Sequence, residues 1–171
     1  MICRTNIGSD LEKVNSNIRT IRCPYTGELL SCVPAYQADT AIFHAQRADS
    51  LGNVQMHGII GEHKEAAFGA RHVIVTVEEI VDHAVIREEP NATVFPSVIV
   101  DAVVQVPRGA YPAYVQGRYE RDNDFYIAWN EASKDPMFVE RYIKEWIYDV
   151  KDHAEYLEKL EKHREKAGGL I

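Results

Sequence analysis

Apolar residues recur along this chain with two different periods, and the change between them divides it. Across residues 38–46 apolar groups occupy both faces of an alternating run, with Ala41, Phe43 and Ala45 set against Ile42 and the polar His44. A strand apolar on both faces suits a sheet interior covered from two sides. Asp49-Ser-Leu-Gly52 follows, with Asp first and Gly fourth, the order that a type I turn favours. Residues 54–60 predict a further strand, 62–70 a short helix, and 72–77 and 98–106 two β-branched strands apolar on both faces. Then the period lengthens. Phe125, Ala128, Trp129 and Ala132 share one face of a helix that begins near Asp122 or Asn123. Asp135 followed by Pro136 is an N-cap with proline in the first turn. From there Val139, Ile143, Trp146, Val150, Ala154, Leu157 and Leu160 recur every three or four residues. One long helix is expected, running to about Lys166 and stopped by Gly168-Gly169.

Strands alternating with helices make this an α/β chain with an open, mainly parallel sheet and flanking helices. At 171 residues it is expected to be a single α/β domain. Within it, residues 1–34 read as a connecting segment with at most one short strand, 35–118 as the sheet core and 119–171 as C-terminal helices. The first segment carries turn formers such as Asn15-Ser-Asn17, Pro24 and Gly27 and little periodicity.

Charge and cysteine usage narrow the function classes. A net charge of −7 argues against a general nucleic-acid or anionic-membrane surface, which needs clustered Lys and Arg. The basic residues between Lys159 and Lys166 alternate with Glu161 and Glu165, as on a solvated helix face. Cys3, Cys23 and Cys32 are odd in number and lack a C-x-x-C spacing, which points away from a disulfide framework or zinc site. The start, Met1-Ile-Cys-Arg-Thr-Asn, has no signal-peptide core, and no apolar run is long enough to span a bilayer. A cytoplasmic protein is expected. The seven histidines show no H-x-H or H-E-x-x-H spacing, so no metal site is expected. Nucleotide-cradling glycine motifs and a G-x-S-x-G elbow are absent as well.

Six segments, in order, carry a resemblance. They are Asp39-Thr-Ala-Ile-Phe-His-Ala-Gln-Arg-Ala-Asp-Ser-Leu-Gly-Asn53, Val75-Thr-Val-Glu-Glu-Ile-Val81, Val100-Asp-Ala-Val-Val104, Gly109-Ala-Tyr-Pro112, Gly117-Arg-Tyr-Glu-Arg-Asp-Asn-Asp-Phe125 and Glu145-Trp-Ile-Tyr-Asp-Val150. The first resembles the HAQRADxxGN segment in the A (alpha) subunit of class I coenzyme A transferases of the glutaconate CoA-transferase type. The resemblance extends over about residues 7–160, and what it matches is the C-terminal half of such a subunit. It implies a partial subunit with the CoA-transferase sheet architecture (NagB/RpiA-like) and a hetero-oligomer with a CoA-transferase B (beta) subunit. CoA would move between an acyl-CoA and a carboxylic acid, of dicarboxylic or 3-oxo type, through a glutamyl-CoA thioester on that partner. The thioester is substrate, and no cofactor is permanently bound. No catalytic residue is then expected in this chain, since no Glu lies in a matching Glu-x-Gly context. A subunit hydrolysing a C–C bond in CoA thioesters, or a catalytically incomplete assembly fragment, are the alternatives.

Five residues are candidates for substrate or CoA contact: Gln46, Arg47, Glu78, Gly109 and Tyr111. Strand alternation puts His44 and Gln46 on one face and Arg47 on the other. Gln46 suits a carboxylate or thioester carbonyl, and Arg47 an acid or a CoA phosphate. Arg47 equally suits a pairing with Asp49 or another acid that fixes the turn. Glu78 follows an apolar strand, where it either faces a crevice or caps the next turn. Gly109 permits close backbone approach, while Tyr111 and Ala113 depart from the His and Ser more frequent in the family. Strands apolar on both faces need cover on both sides. A few hundred Å2 left bare forfeits several kcal/mol at ~25 cal/mol per Å2. The isolated chain is therefore expected to associate, or to need its missing half or a B (beta) partner.

Overall fold

The computed structural model describes residues 1–167 and divides into two compact units, residues 1–39 and the chain from Thr40 onward. The first unit is an antiparallel three-stranded sheet. β1 (Ile2–Cys3) and β2 (Arg19–Arg22) flank β3 (Leu29–Cys32), and the short α1 (Leu11–Val14) lies between β1 and β2 in sequence. The segment thus holds three strands where the sequence suggested at most one. Its β2–β3 hairpin turns at Gly27, whose φ of 72° suits a residue without a side chain. Alternation in Arg19-Thr-Ile-Arg22 is too polar to give a period-two apolar signal. All three cysteines are free.

The second unit is built on a five-stranded sheet ordered β7-β5-β4-β6-β8. β4 (Thr40–Asp49), β6 (His72–Val81) and β8 (Ala102–Gln105) run parallel. β5 (Val54–Gln55) is antiparallel to both β4 and β7 (Thr93–Phe95), so β5 alone is reversed and the sheet is mainly parallel. α2 (His63–Gly69) and α3 (His83–Glu88) connect these strands. One sheet face carries the core: Ala45, Val73, Val75 and Val77 pack with Ala67 of α2 and with Phe95. Phe43 joins them, its ring 4.7 Å from Phe95. On the other face Ile42, Ile80 and Val104 remain exposed.

Several boundaries differ from the sequence reading. β4 and β6 continue through Asp49 and Val81, because Gln46, Arg47, Glu78 and Glu79 find polar partners inside the unit rather than ending the strand. The strand expected at 54–60 is two residues long. Residues 98–106 open with a 3₁₀ turn, Ser97–Ile99, before β8, which is a largely exposed edge strand rather than a covered one. Asp101 marks the change: its Oδ2 accepts from Val73 N, and its own N–H donates to Val73 O. β7, three residues between Pro90 and Pro96, is too short to show a period.

α4 (Asn123–Ala132) and α5 (Pro136–Ile143) start where expected, with Asp122 Oδ1 accepting from Phe125 N and Asp135 Oδ1 from Met137 N. The long helix, however, is two helices. A π turn at Lys144–Tyr148 ends with Asp149 N bonded to Lys144 O, and α6 (His153–Ala167) restarts after a break. Asp152 caps α6 by accepting from Glu155 N, and Glu155 Oε2 accepts from Lys151 N. Apolar residues every three or four positions fit one helix or two equally well, so periodicity cannot see this break. Trp146, buried at the π turn, contacts the rings of Tyr142, Tyr156 and His163. The expected stop at Gly168-Gly169 lies outside the described residues. Among those, no helix is long and apolar enough to cross a membrane. Asp152→Ala removes the exposed cap and is expected to cost about 1 kcal/mol of unfolding free energy. Urea unfolding measures it, and an unchanged midpoint would show that the break does not need this cap.

Candidate functional site

The loop that leaves the carboxyl end of β8, residues 106–119, folds back over one face of the sheet, and three side chains on that face hold it. The β4–β6 register sets His44 opposite Thr76, so His44, Gln46 and Glu78 project to the same side. Glu78 is the main anchor. Its Oε2 accepts from Arg108 N at 2.9 Å, and its Oε1 accepts from His44 Nε2 at 2.6 Å and Tyr119 hydroxyl at 2.9 Å. Only 8% of the Glu78 side chain is exposed. Burial pushes its carboxyl pKa up, but the Arg108 N–H, His44 and Tyr119 together outweigh it and hold the pKa below the usual carboxylate value. Burial, with Glu78 alongside, raises the Tyr119 phenol.

The loop itself is shaped around this anchor. Arg108 sits in the left-handed region at φ 58°, with the N–H that Glu78 binds. A Cβ on Gly109 would stand 2.8 Å from Val106 O and 2.9 Å from the His44 ring, so glycine is what lets the loop close on the histidine. Tyr119 hydroxyl accepts from Ala110 N while donating to Glu78. From outside, His153 Nε2 meets Pro107 O at 2.6 Å. Gln46 works at the other lip: its Nε2 donates to His57 O and Gln116 O, and its Oε1 accepts from His57 N. Between the lips lies a cleft of about 200 Å3 whose walls include His44, Gln46, His57, His63, Tyr114 and Gln116. A larger hollow, about 380 Å3, lies against α6, but its lysines are tied to its glutamates: Lys159 to Glu145 and Lys162 to Glu158.

The structure therefore brings Gln46, Glu78 and Gly109 to one face of the sheet, with Gln46 in the wall of the cleft and Glu78 behind His44. Arg47 is not with them. It points to the opposite face, where Nε donates to Gln55 Oε1 at 2.7 Å and the guanidinium stands 3.7 Å from Glu89. Gln55, fully buried, passes the connection on by donating to Ile86 O and Glu89 O at the end of α3. Tyr111 also lies apart, its hydroxyl bonded to Asp122 at 2.6 Å and its ring 6.0 Å from Phe125. Asn53 is a turn residue, donating to Asp49 and accepting from Ser97 N. Sequence reasoning did not single out Thr76, His57, Tyr114, Gln116 or Tyr119. Tyr119 had a usable signal, since it lies in the Gly117-Arg-Tyr-Glu segment. His57 and Gln116 had none, because Gln46 reaches them through backbone atoms 11 and 70 positions away.

Known proteins are similar to this chain in sequence and fold. The coenzyme A transferase family model matches residues 4–106. The chain is 46% identical, over 159 residues, to the alpha chain of the 3-oxoadipate CoA-transferase of Pseudomonas knackmussii, a match that covers 93% of this chain and 56% of the relative. It is 41% identical over 134 residues to the alpha chain of the glutaconate CoA-transferase of Acidaminococcus fermentans, covering 78% of this chain and 42% of the relative. The crystal structure of the Acidaminococcus fermentans enzyme superposes with a TM-score of 0.85 at 34% identity, over 96% of this chain and 57% of the other. The chain thus spans about half the length of the curated relatives it matches. With a family match over most of its length and these identities, the chain belongs to the coenzyme A transferase family.

Proposed function

We propose that this chain forms one wall of the substrate site in the alpha component of a CoA-transferase, and that a beta component supplies the nucleophilic glutamate. CoA passes from an acyl-CoA to a carboxylic acid, of dicarboxylic or 3-oxo type, through a glutamyl-CoA thioester on that partner. The observation that carries this reading is the 46% identity to the alpha chain of a 3-oxoadipate CoA-transferase over 93% of this chain, a span that includes the whole cleft. The local chemistry is consistent with it. Exchanging one thioester for another through covalent catalysis moves an acyl group between carboxylates and sulfur and consumes no net proton. The His44–Glu78 pair is then not needed as an acid or base. In this reading His44, Gln46 and Glu78 are positioning residues that hold the 106–119 loop, and Gly109 gives it room. Arg47 supports the β4–β5 side from behind, and Tyr111 ties the loop to the start of α4.

The test replaces the matching region of the Pseudomonas knackmussii alpha chain with residues 7–160 of this chain and assembles the hybrid with that enzyme's beta chain. Transfer of CoA from an acyl-CoA to 3-oxoadipate is expected, with a glutamyl-CoA adduct detected by mass spectrometry on the beta chain. Release of free acid with no adduct would replace transfer by hydrolysis. A correctly assembled hybrid that does neither would sink the reading.

A further inference from the structure

The cleft under the loop has a donor set and a size that select among the parts of a CoA-transferase's substrates. We propose that it seats the acid substrate, a short aliphatic carboxylate, and not the nucleotide of coenzyme A. This rests on the transferase reading above and names which substrate this wall contacts.

Three observations carry it. The first is volume. At about 200 Å3 the cleft falls below the roughly 300–1,000 Å3 of sites that enclose drug-sized ligands, so its size suits a small acid better than an adenosine with its phosphates. The second is charge and hydrogen-bonding capacity. Among the described residues no Lys or Arg lines the cleft, so it lacks the groups that phosphates recruit. Among the described residues no carboxylate lines it either: Glu78 lies behind His44 with its oxygens spent on Arg108 N, Tyr119 and His44 itself. The cleft's polar lining is His44, Gln46, His57, His63, Tyr114 and Gln116, and the His57 Nε2 also stands 3.9 Å from Glu89 Oε2. The His63 ring is oriented by its Nδ1 contact with Ile60 O. The third is the remaining wall. Met56, Ile59 and Val115 are aliphatic, suited to the methylene chain of an acid.

His57 and Tyr114 are both exposed, so their side chains can be changed without opening the core. The Gln46 bonds at position 57 use only backbone atoms and survive the change. The experiment uses the isotope-labelled 171-residue chain in solution and follows amide and imidazole resonances. The probes are glutarate, an unreactive dicarboxylate, and adenosine bisphosphate, the nucleotide end of coenzyme A. Glutarate is expected to give saturable shifts at His57, Tyr114 and Gln116, and the bisphosphate none there. His57→Ala and Tyr114→Phe are each expected to weaken glutarate binding about fivefold, the loss of one hydrogen bond of about 1 kcal/mol. In the active hybrid the same variants raise KM for the acid and leave KM for the acyl-CoA unchanged. Absence of a saturable glutarate response, or a response at these residues to the bisphosphate instead, overturns the assignment. Glutarate binding by a chain whose hybrid is inactive would sink the transferase reading and leave the cleft's ligand class standing.

Discussion

Glu78→Ala is expected to lower the unfolding free energy by about 3 kcal/mol and to free the loop above it. The carboxylate serves three donors that alanine cannot replace: Arg108 N, Tyr119 hydroxyl and His44 Nε2. Hydrogen bonds to a charged group are worth about 1.5–3 kcal/mol, and a buried donor left without a partner costs about 1–3 kcal/mol. His44 has little access to replacement water, since its side chain is 12% exposed. Arg108 adds to the effect, because a non-glycine residue at φ 58° stores strain that persists only while its N–H is held. Hydrogen exchange at Arg108 and Ala110 should quicken at least tenfold, about 1.4 kcal/mol of lost protection. Glu78→Gln is the informative intermediate. Its carbonyl can keep the donors on one side, but its NH2 must then face a donor on the other. Glu79→Ala is the control, since that residue points to the other face and makes an exposed pair with Arg118, worth about 0–1 kcal/mol. Equal effects of the two alanine variants would show that Glu78 is not the anchor.

This network also shows why the sequence was readable in outline and not in detail. The sheet's two long strands were visible because Ala41, Phe43, Ala45, Val73, Val75 and Val77 are apolar at strand spacing, and most of them form the core. Their polar ends were not visible as strand. Arg47, Glu78 and Glu79 lie beyond the apolar runs, and their partners Gln55, Arg108 and Arg118 stand 8 to 39 residues away. The capped starts of α4 and α5 were legible because a cap is local, with Asp122 and Asp135 acting within three residues. The break before α6 was not, because the apolar stripe passes through it unchanged.

The same distinction governs the site. Alternation alone separated His44 and Gln46 from Arg47, and the structure places them on opposite faces. Alternation could not say what each side chain does there. Gln46 offers its amide to backbone carbonyls 11 and 70 positions on, and Arg47 finds Gln55 and Glu89 rather than Asp49. The family motif thus marks residues that brace the sheet from behind as well as residues in the wall of the cleft, and sequence has no term that separates the two.

Asp49 gives the second large effect, with a pH signature of its carboxylate. It ends β4 with 1% of its surface exposed, and it closes the turn that the sequence predicted. Oδ1 accepts from Leu51 N and Asn53 N, Oδ2 accepts from Asn53 Nδ2 and His83 Nδ1, and Gly52 N donates to the Asp49 carbonyl. Asp49→Ala leaves these donors unserved and detaches the start of α3 from the turn. A loss of about 3 kcal/mol follows, or a fall in Tm on the order of 10 °C for a chain of this size. Burial pushes the Asp49 carboxyl up, but His83, Asn53 and the backbone N–H groups outweigh it, so its folded pKa lies below the unfolded value of about 3.9. A depressed carboxylate contributes stability that is fully present above the unfolded value and disappears as pH falls through the folded one. Asp49→Asn keeps the shape, cannot titrate and turns one acceptor into a donor. Its deficit relative to the parent should therefore be constant from pH 7 down to about 5 and shrink below about 4. Urea unfolding across that range measures it. A deficit unchanged at the acid end would mean that the carboxylate's charge does nothing for the turn, and that the four hydrogen bonds hold it by geometry alone.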